Sequence, residues 1–518
     1  MPDLHLFVGV LYLAALVGLF AYGMNAYVML VTHWRHRRTA RLPAPAPPVV
    51  WPPVTVQLPL YNERYVAQRL LEAAAALDYP RDLLEIQALD DSTDETTAIV
   101  AETADRLRAE GVPVVHVRRG SRVGFKAGAL AHGLGAARGE FIAVFDADFV
   151  PPPDFLRRAL PHFADARVAV VQARWGHLNR DSSLLTWAQS IGIDGHFGVE
   201  QAARCWGGLF LNFNGTAGVW RRASIEDAGG WAHDTLTEDL DLSYRAQLKG
   251  WRILYLPDLV CPAELPVLVT GFKSQQRRWA RGSVQTALKL LPAVFRAPLP
   301  AWTKYQALVH LTYYLIHPLM LAVVLLSVPL LSLETASPPV AALSAASLVF
   351  ALATFGPASM LVYAQRVLDP AWLRNLWRLP TIMVIGVGVA WSTTLAALGG
   401  FRRGRAGEFI RTPKFGIGSV GGTWRGKAYG DRAVRGGLVE LGLAGYCAWA
   451  TWLSWERGQY GILPFLLLYT AGFLTVGGLT LAQAQGAAFQ PLRPCCAPVG
   501  RFFSVTFSGS PRVPGVRP

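Results

Sequence analysis

The sequence predicts an α/β domain with a mostly parallel sheet, set among transmembrane helices. Three observations carry this reading. Short β-rich runs alternate with helical stretches between Val54 and about Arg174, a long uncharged run precedes them, and after Trp279 the chain turns apolar again. Alternating strand and helix implies a parallel sheet covered by helices on both faces. With 52% hydrophobic residues and a mean hydropathy of +0.28 over 518 residues, the composition is not that of a purely soluble protein.

Taken in order, Leu6–Val31 carries no charge and exceeds the about 20 apolar residues that a bilayer core requires. It has neither a basic leader nor a small-residue cleavage site, so a retained anchor is expected, with residues 1–50 forming anchor and basic linker. Within a soluble domain over 51–290, strands are expected at Val54–Leu60, Leu84–Leu89, Pro113–Val117, Phe141–Phe145 and Val168–Gln172, with helices at Tyr65–Leu77 and Lys126–Ala137. Such sheets bind ligands beyond the carboxyl ends of their strands, where Asn62, Asp91 and Asp148 fall.

Over 300–482, Leu308–Leu331 and Val340–Tyr363 read as two spans, and Leu438–Trp455 with Ile462–Leu481 as a closing hairpin. Leu379–Leu398 is apolar but holds Ser392, Thr393 and Thr394, and arginines flank it on both sides (Arg366, Arg374, Arg378; Arg402, Arg403, Arg405). A full crossing would leave one basic flank outside, so an interfacial or re-entrant helix is expected over about 379–400. That reading gives five spans, an outside N-terminus and a cytosolic C-terminus. The stretch 483–518, rich in Pro, Gly and Arg, is expected to be disordered.

The net charge of +14 does not point to nucleic acid, because its basic residues crowd beside apolar runs, as Arg35, Arg37 and Arg38 do. That is the pattern of cytoplasmic flanks facing anionic membrane lipids. The five cysteines show no metal-ligand spacing with histidines, and Cys495-Cys496 are adjacent, which suits a reducing compartment.

Several motifs have the residue types for chemistry, each with a plainer reading beside it. Pro59, Tyr61 and Glu63, in the run Gln57–Glu63, suit stacking on and hydrogen bonding to a nucleobase, or a strand-end turn. Asp91, in Asp90-Asp91, reads equally as an acceptor for base or ribose donors or as a cap for a helix starting near Asp94. Lys126, in Gly124-Phe125-Lys126-Ala127-Gly128, stands at a helix N-terminus that suits phosphate, or an ordinary helix start. Asp146-Ala147-Asp148 follows a strand and precedes Pro151-Pro152-Pro153, so both carboxylates can reach Mg²⁺ or Mn²⁺. A turn is its weaker alternative. Phe213–Arg221 is a small-residue bend that admits close backbone approach to a ligand, or a tight turn.

Thr237-Glu238-Asp239 opens the helical pattern Leu240–Leu248. A carboxylate there is either a cap, depressed in pKa by the helix dipole, or a general base. In Gln275-Gln276-Arg277-Arg278-Trp279 the indole offers a flat face for a pyranose, and arginine can hold diphosphate oxygens. A membrane-interface anchor is the alternative, but after three acidic clusters the site reading prevails.

The order and spacing of Asp90-Asp91, Asp146-Ala147-Asp148, Thr237-Glu238-Asp239 and Gln275/Arg278/Trp279 resemble the processive family 2 glycosyltransferases, the cellulose-synthase-like enzymes. Gln172-Ala173-Arg174-Trp175 and Phe213–Arg221 resemble their mannan and glucan branches, and Phe409-Ile410-Arg411-Thr412-Pro413-Lys414 resembles the Phe-x-x-Thr-x-Lys gating loop of cellulose synthases, within about 401–420. The likeness spans roughly 50–415. It implies a GT-A (Rossmann-like) cytosolic catalytic domain with Asp239 as base. Donor binding would fall to Pro59, Tyr61, Glu63, Asp91, Lys126, Asp146, Gln275 and Arg278, acceptor binding to Trp279 and Glu238, and a metal to Asp146 and Asp148. Phe409, Thr412 and Lys414 would gate the donor pocket.

The activity so implied is inverting, metal-dependent β-1,4 transfer from GDP-mannose or UDP-glucose to a growing polysaccharide. The enzyme would pass that chain through its own helices in a bacterial plasma membrane. The single leading span departs from bacterial cellulose synthases, and their C-terminal cyclic-dinucleotide domain is not expected. Two rivals stand beside it: a non-processive transferase acting on a lipid, and a channel with a degenerate cytosolic domain. The intact Asp146, Asp148 and Asp239 argue against the second.

Overall fold

The computed structural model describes residues 2–38, 45–332, 338–402, 411–418 and 434–484. Phe409, Arg403, Arg405 and the tail with Cys495 and Cys496, on which some expectations fall, lie outside them. The central sheet has seven strands: β1 Val54–Leu60, β2 Leu84–Asp90, β3 Val114–Arg118, β4 Phe141–Val144, β5 Val168–His177, β6 Gly218–Arg221 and β7 Arg252–Ala263. Their order is β3-β2-β1-β4-β6-β5-β7. The first four run parallel, β6 is antiparallel to both β4 and β5, and β7 is parallel to β5.

Strands β2 and β4 are buried along their whole length, and β1 at all but one position. Helices cover both faces, which is why these strands read as continuous apolar runs rather than alternating ones. Leu70, Leu71, Val100 and Ala104, from the helices Ala67–Ala75 and Thr96–Ala109, join Val56 and Ile86 on one face. Leu130 and Leu134 of Phe125–Ala136, with Leu242 and Ala246 of Glu238–Leu248, join Ile142 and Val144 on the other.

Two strands were not expected. β6 has only four residues and falls inside the segment read as a bend. β7 contains Pro257, which cannot donate to a ladder and so reads against a strand. The protein accommodates it with a bulge: opposite Ala173 and Arg174 the register jumps from Leu256 to Val260, and Arg174 Nε donates to the Pro257 carbonyl at 2.9 Å.

Among the described residues, three helices are long and apolar enough to cross a membrane: Leu6–His36, Ala301–Leu331 and Leu463–Ala484. The segment expected at the interface is a pair, Trp372–Gly388 and Ala390–Gly400, bent by 46°. Small residues let these helices approach closely: a Cβ on Gly388 would stand 2.4 Å from the Gly472 carbonyl, and one on Gly23 2.2 Å from that of Ala353. The helix Val269–Arg296 lies between the sheet domain and this bundle. Its Lys273 pairs with Glu440 at 2.6 Å, both side chains being buried.

Candidate active site

One pocket beyond the carboxyl ends of β1, β2 and β4 collects every expected site residue within the described chain. Pro59, Tyr61, Glu63, Asp91, Lys126, Asp146, Asp148, Glu238, Asp239, Gln275, Arg278, Trp279, Thr412 and Lys414 all line it. Gln275, Arg278 and Trp279 reach it together because positions i, i+3 and i+4 share one helix face, whereas Arg277 is exposed.

Buried Gln172, midway along β5, shapes the bend that follows Phe213. It accepts from the Asn214 N–H at 2.8 Å and donates to the Thr216 and Ala217 carbonyls at 3.1 Å each. Thr216 Oγ1 in turn accepts from the Asp146 N–H at 2.8 Å, so the bend holds the acidic end of β4. Gly215 has φ +81°, and a Cβ there would stand 2.7 Å from Asp239 Oδ2. Three non-glycine residues near the pocket also have left-handed backbones, Asn62 (54°), Phe125 (50°) and Ala217 (54°). Strain of this kind persists only where surrounding structure enforces it, and it gathers at functional sites.

Two lysines reach the acidic floor and offset part of its charge. Lys126 Nζ stands 2.5 Å from Asp146 Oδ1 and 3.8 Å from Glu238 Oε1, and donates to the Gly215 carbonyl at 3.0 Å. It is thus turned into the floor. Lys414 Nζ donates to Asp148 Oδ2 at 2.6 Å and to the Glu264 carbonyl at 2.9 Å. Asp239 departs from the helix-dipole expectation of a depressed carboxyl. Burial and the neighbouring Glu238 charge raise it to about 7, with Lys126 and Arg278 offsetting only part of the rise. Glu63 is raised to about 8, by burial first and then by the Asp148 and Asp146 charges.

On the outer side, Asp91 is not a helix cap. Arg119 grips its carboxylate with Nε at 2.7 Å and Nη2 at 2.5 Å, while Asp94 accepts from the Thr96 N–H at the helix start. The Arg122 guanidinium covers one face of the Tyr61 ring, 3.4 Å from its centroid. A base stacking on Tyr61 therefore has the opposite face. Arg119, Arg122, His177 and Glu264 were missed by the sequence reading. Glu264 is the seat of the 411–418 segment: its carboxylate accepts from the Phe415 N–H at 2.7 Å and the Ile417 N–H at 3.0 Å. With that segment in place the pocket has about 130 Å³ of free space, less than the roughly 300 Å³ or more of a drug-sized ligand site.

A second, larger cavity of about 950 Å³ begins at the same residues. Trp175, Ile193, Asn214, Asp239, Gln275 and Trp279 line both spaces. It continues between the helices Pro2–His36, Ile316–Leu331, Pro338–Leu368 and Leu463–Ala484, past Tyr22, Met320, Pro357 and Tyr469.

The donor set suits a hard dication. No group of three or more His, Cys, Asp or Glu forms a ready metal cluster among the described residues. Mg²⁺, however, commonly takes one or two carboxylates and completes its shell with substrate phosphates and water. Asp146 and Asp148 are such a pair, and each already attracts a cation, an ammonium at 2.5 or 2.6 Å.

Residues 52–282 match the family model "Glycosyltransferase like family 2". The chain is 34% identical over 445 residues to glucomannan 4-beta-mannosyltransferase 2 of Arabidopsis thaliana, covering 82% of this chain and 80% of the relative. It is 33% identical over 457 residues to glucomannan 4-beta-mannosyltransferase 1 of Oryza sativa subsp. japonica, covering 82% of each. Among solved structures it is similar to the mannosyltransferase PcManGT of Pyrobaculum calidifontis in complex with GDP-Man and Mn²⁺, with 25% identity and a TM-score of 0.46, covering 76% of this chain and 100% of that one. The seven-stranded mixed sheet is a GT-A domain, and the chain belongs to the family 2 glycosyltransferases of cellulose-synthase-like type.

Proposed function

We propose that this enzyme elongates a β-1,4-linked mannan or glucan from GDP-mannose or UDP-glucose, by inverting transfer, and threads the product between its membrane helices. The observation that carries the proposal is the continuity of the two spaces: the cavity among the helices begins at Asp239 and Trp279. The names of the plant relatives favour mannose.

Transfer follows from the residues in place. Ionised Asp239 takes the proton of the acceptor hydroxyl. That oxygen bonds to the anomeric carbon as the bond to the diphosphate breaks on the opposite face, and the electron pair leaves with the diphosphate. One displacement turns an α-linked donor into a β-linkage. Arg278, on the helix face shared with Trp279, meets the developing negative charge, and preorganised charge of this kind is worth most where water is excluded. Asp146 and Asp148 would hold Mg²⁺ or Mn²⁺, which when bound neutralises the diphosphate. Trp279 offers its face to the acceptor ring, Glu238 an acceptor for its hydroxyls, and Thr412 with Lys414 closes the donor side. Arginines beside the anchor (Arg35, Arg37) suit a cytosolic catalytic domain against anionic lipid, as at a bacterial plasma membrane.

The largely apolar cavity wall favours one second reading, a lipid acceptor and a single transfer. The test is to incubate purified enzyme with each labelled donor and partition the product. Radiolabel in a β-mannanase- or cellulase-sensitive polymer supports polymerisation, whereas label confined to a solvent-extractable lipid overturns it.

A further inference from the structure

The helix Leu184–Gly195 runs on through a π-helical turn, His196–Gln201, into Ala202–Trp206. A π turn inserts an extra residue, shifts the side chains that follow, and is found mostly at functional positions. Here the neighbours Phe197, Val199 and Gln201 are buried, while His196 and Glu200 keep 30% and 23% of their side chains accessible and line the larger cavity.

These two belong to one polar strip. Glu200 Oε2 meets His196 Nδ1 at 3.0 Å, and Glu200 Oε1 accepts from Arg204 Nε at 2.9 Å. His196 Nε2 meets Asn214 Oδ1 at 2.9 Å. Asn214 lines both spaces together with Asp239, and His196 and Glu200 line only the larger one, so the strip starts beside the proposed base and leads away from the smaller pocket. Burial alone would raise the Glu200 carboxyl, but Arg204 and His196 hold it well below the usual carboxylate range. It is therefore a charged acceptor, and part of its side chain stays accessible in the larger cavity. In a wall made mainly of aliphatic and aromatic side chains, a few convergent polar groups fix a ligand's orientation. The ligand that suits such a carboxylate is a vicinal diol, which donates to its oxygens; His196, engaged at both ring nitrogens, ties Glu200 to Asn214 and holds it in place.

We infer that Glu200, His196 and Asn214 form an acceptor subsite that binds the hydroxyls of the sugar behind the chain end and so sets the register of the terminal hydroxyl at Asp239. The inference rests on the polymerase reading. It assigns Glu200 and His196 to acceptor binding rather than to the reaction itself.

The test uses full-length enzyme in detergent, a β-1,4-linked mannohexaose or cellohexaose as primer, and the donor that supports turnover. Glu200→Gln keeps the size of the side chain and its bond from Arg204. Its KM for the primer is expected to rise about tenfold or more, the loss of a hydrogen bond to a charged group, while the KM for the donor does not follow. His196→Gln provides a second route should the first variant fold poorly, with the same split expected. Wild-type-like primer KM in either well-folded variant, or primer and donor KM rising together, overturns the inference alone. Wild-type enzyme that consumes donor yet neither binds nor extends either hexasaccharide overturns the polymerase reading, and this inference with it.

Discussion

Lys414 and Asp148 meet at 2.6 Å, joining the 411–418 segment to the acidic end of the central sheet. The ammonium sits on the carboxylate that a divalent cation would share with Asp146, so on the proposed metal site lysine and metal would compete for Asp148. Lys414→Met is expected to bind Mn²⁺ more tightly, on the order of tenfold, since a hydrogen bond to a charged group is at stake. The same variant should transfer sugar more slowly, because its cover segment has lost an anchor. Calorimetric Mn²⁺ titration beside a steady-state assay checks both, and unchanged metal affinity would refute the competition.

Asp239, raised to about 7 by burial and Glu238, acts as a base only when ionised. The kcat/KM of the free enzyme should therefore climb as pH rises through about 7 and level off above it. Asp239→Asn should lose about 10²- to 10⁴-fold in transfer rate while still binding donor, and its residual rate should lack that limb. A flat profile for wild type between pH 6 and 8 would remove Asp239 from the role.

At Gly215 both backbone and space demand glycine: φ is +81° and a Cβ would stand 2.7 Å from Asp239 Oδ2. Gly215→Ala is expected to fold, with a stability loss of about 1–3 kcal/mol, and to lose most of its activity because the base is displaced. Equal loss at all pH values, with donor affinity retained, is the signature to look for. Full activity would show that Asp239 tolerates the shift.

Trp279 lines both the smaller, acidic pocket and the larger cavity. Trp279→Ala should shorten or abolish polymer while the protein still inserts and folds, and Trp279→Phe should retain part of the product length through its smaller ring face. Product length per folded molecule measures this. Were Trp279 only an interfacial anchor, both changes would lower membrane yield and leave length unchanged.

The carboxylates were legible because strand ends in an open parallel sheet are where ligands bind, and Asp91, Asp146 and Asp148 follow apolar runs directly. Arg119 and Arg122 were not, since Arg118-Arg119-Gly120-Ser121-Arg122 has the composition of a solvated turn. Glu264 gave no signal as one acid between two prolines, Pro262 and Pro266, whose partners lie far along the chain. The Pro257 bulge hid β7, and β6 is too short to show a period. The π turn at His196–Gln201 changes the apolar spacing by a single residue, too little to read from pattern alone. For Asp239 the local rule, helix dipole, was outweighed by burial and by the adjacent Glu238, both of which depend on the folded pocket.

The buried Lys273–Glu440 pair decides which parts of the machine stand still. Lys273 lies on the same helix as Gln275, Arg278 and Trp279, and Glu440 on the penultimate helix, Val434–Glu456. Separating two charges held out of water leaves each uncompensated, at a cost of about 3–5 kcal/mol. A cycle in which the tryptophan platform ratchets back and forth would meet that penalty at every sugar added. On the proposed elongation, the helix that carries Trp279 and the outer hairpin would form a stator, and the polymer would be the moving part.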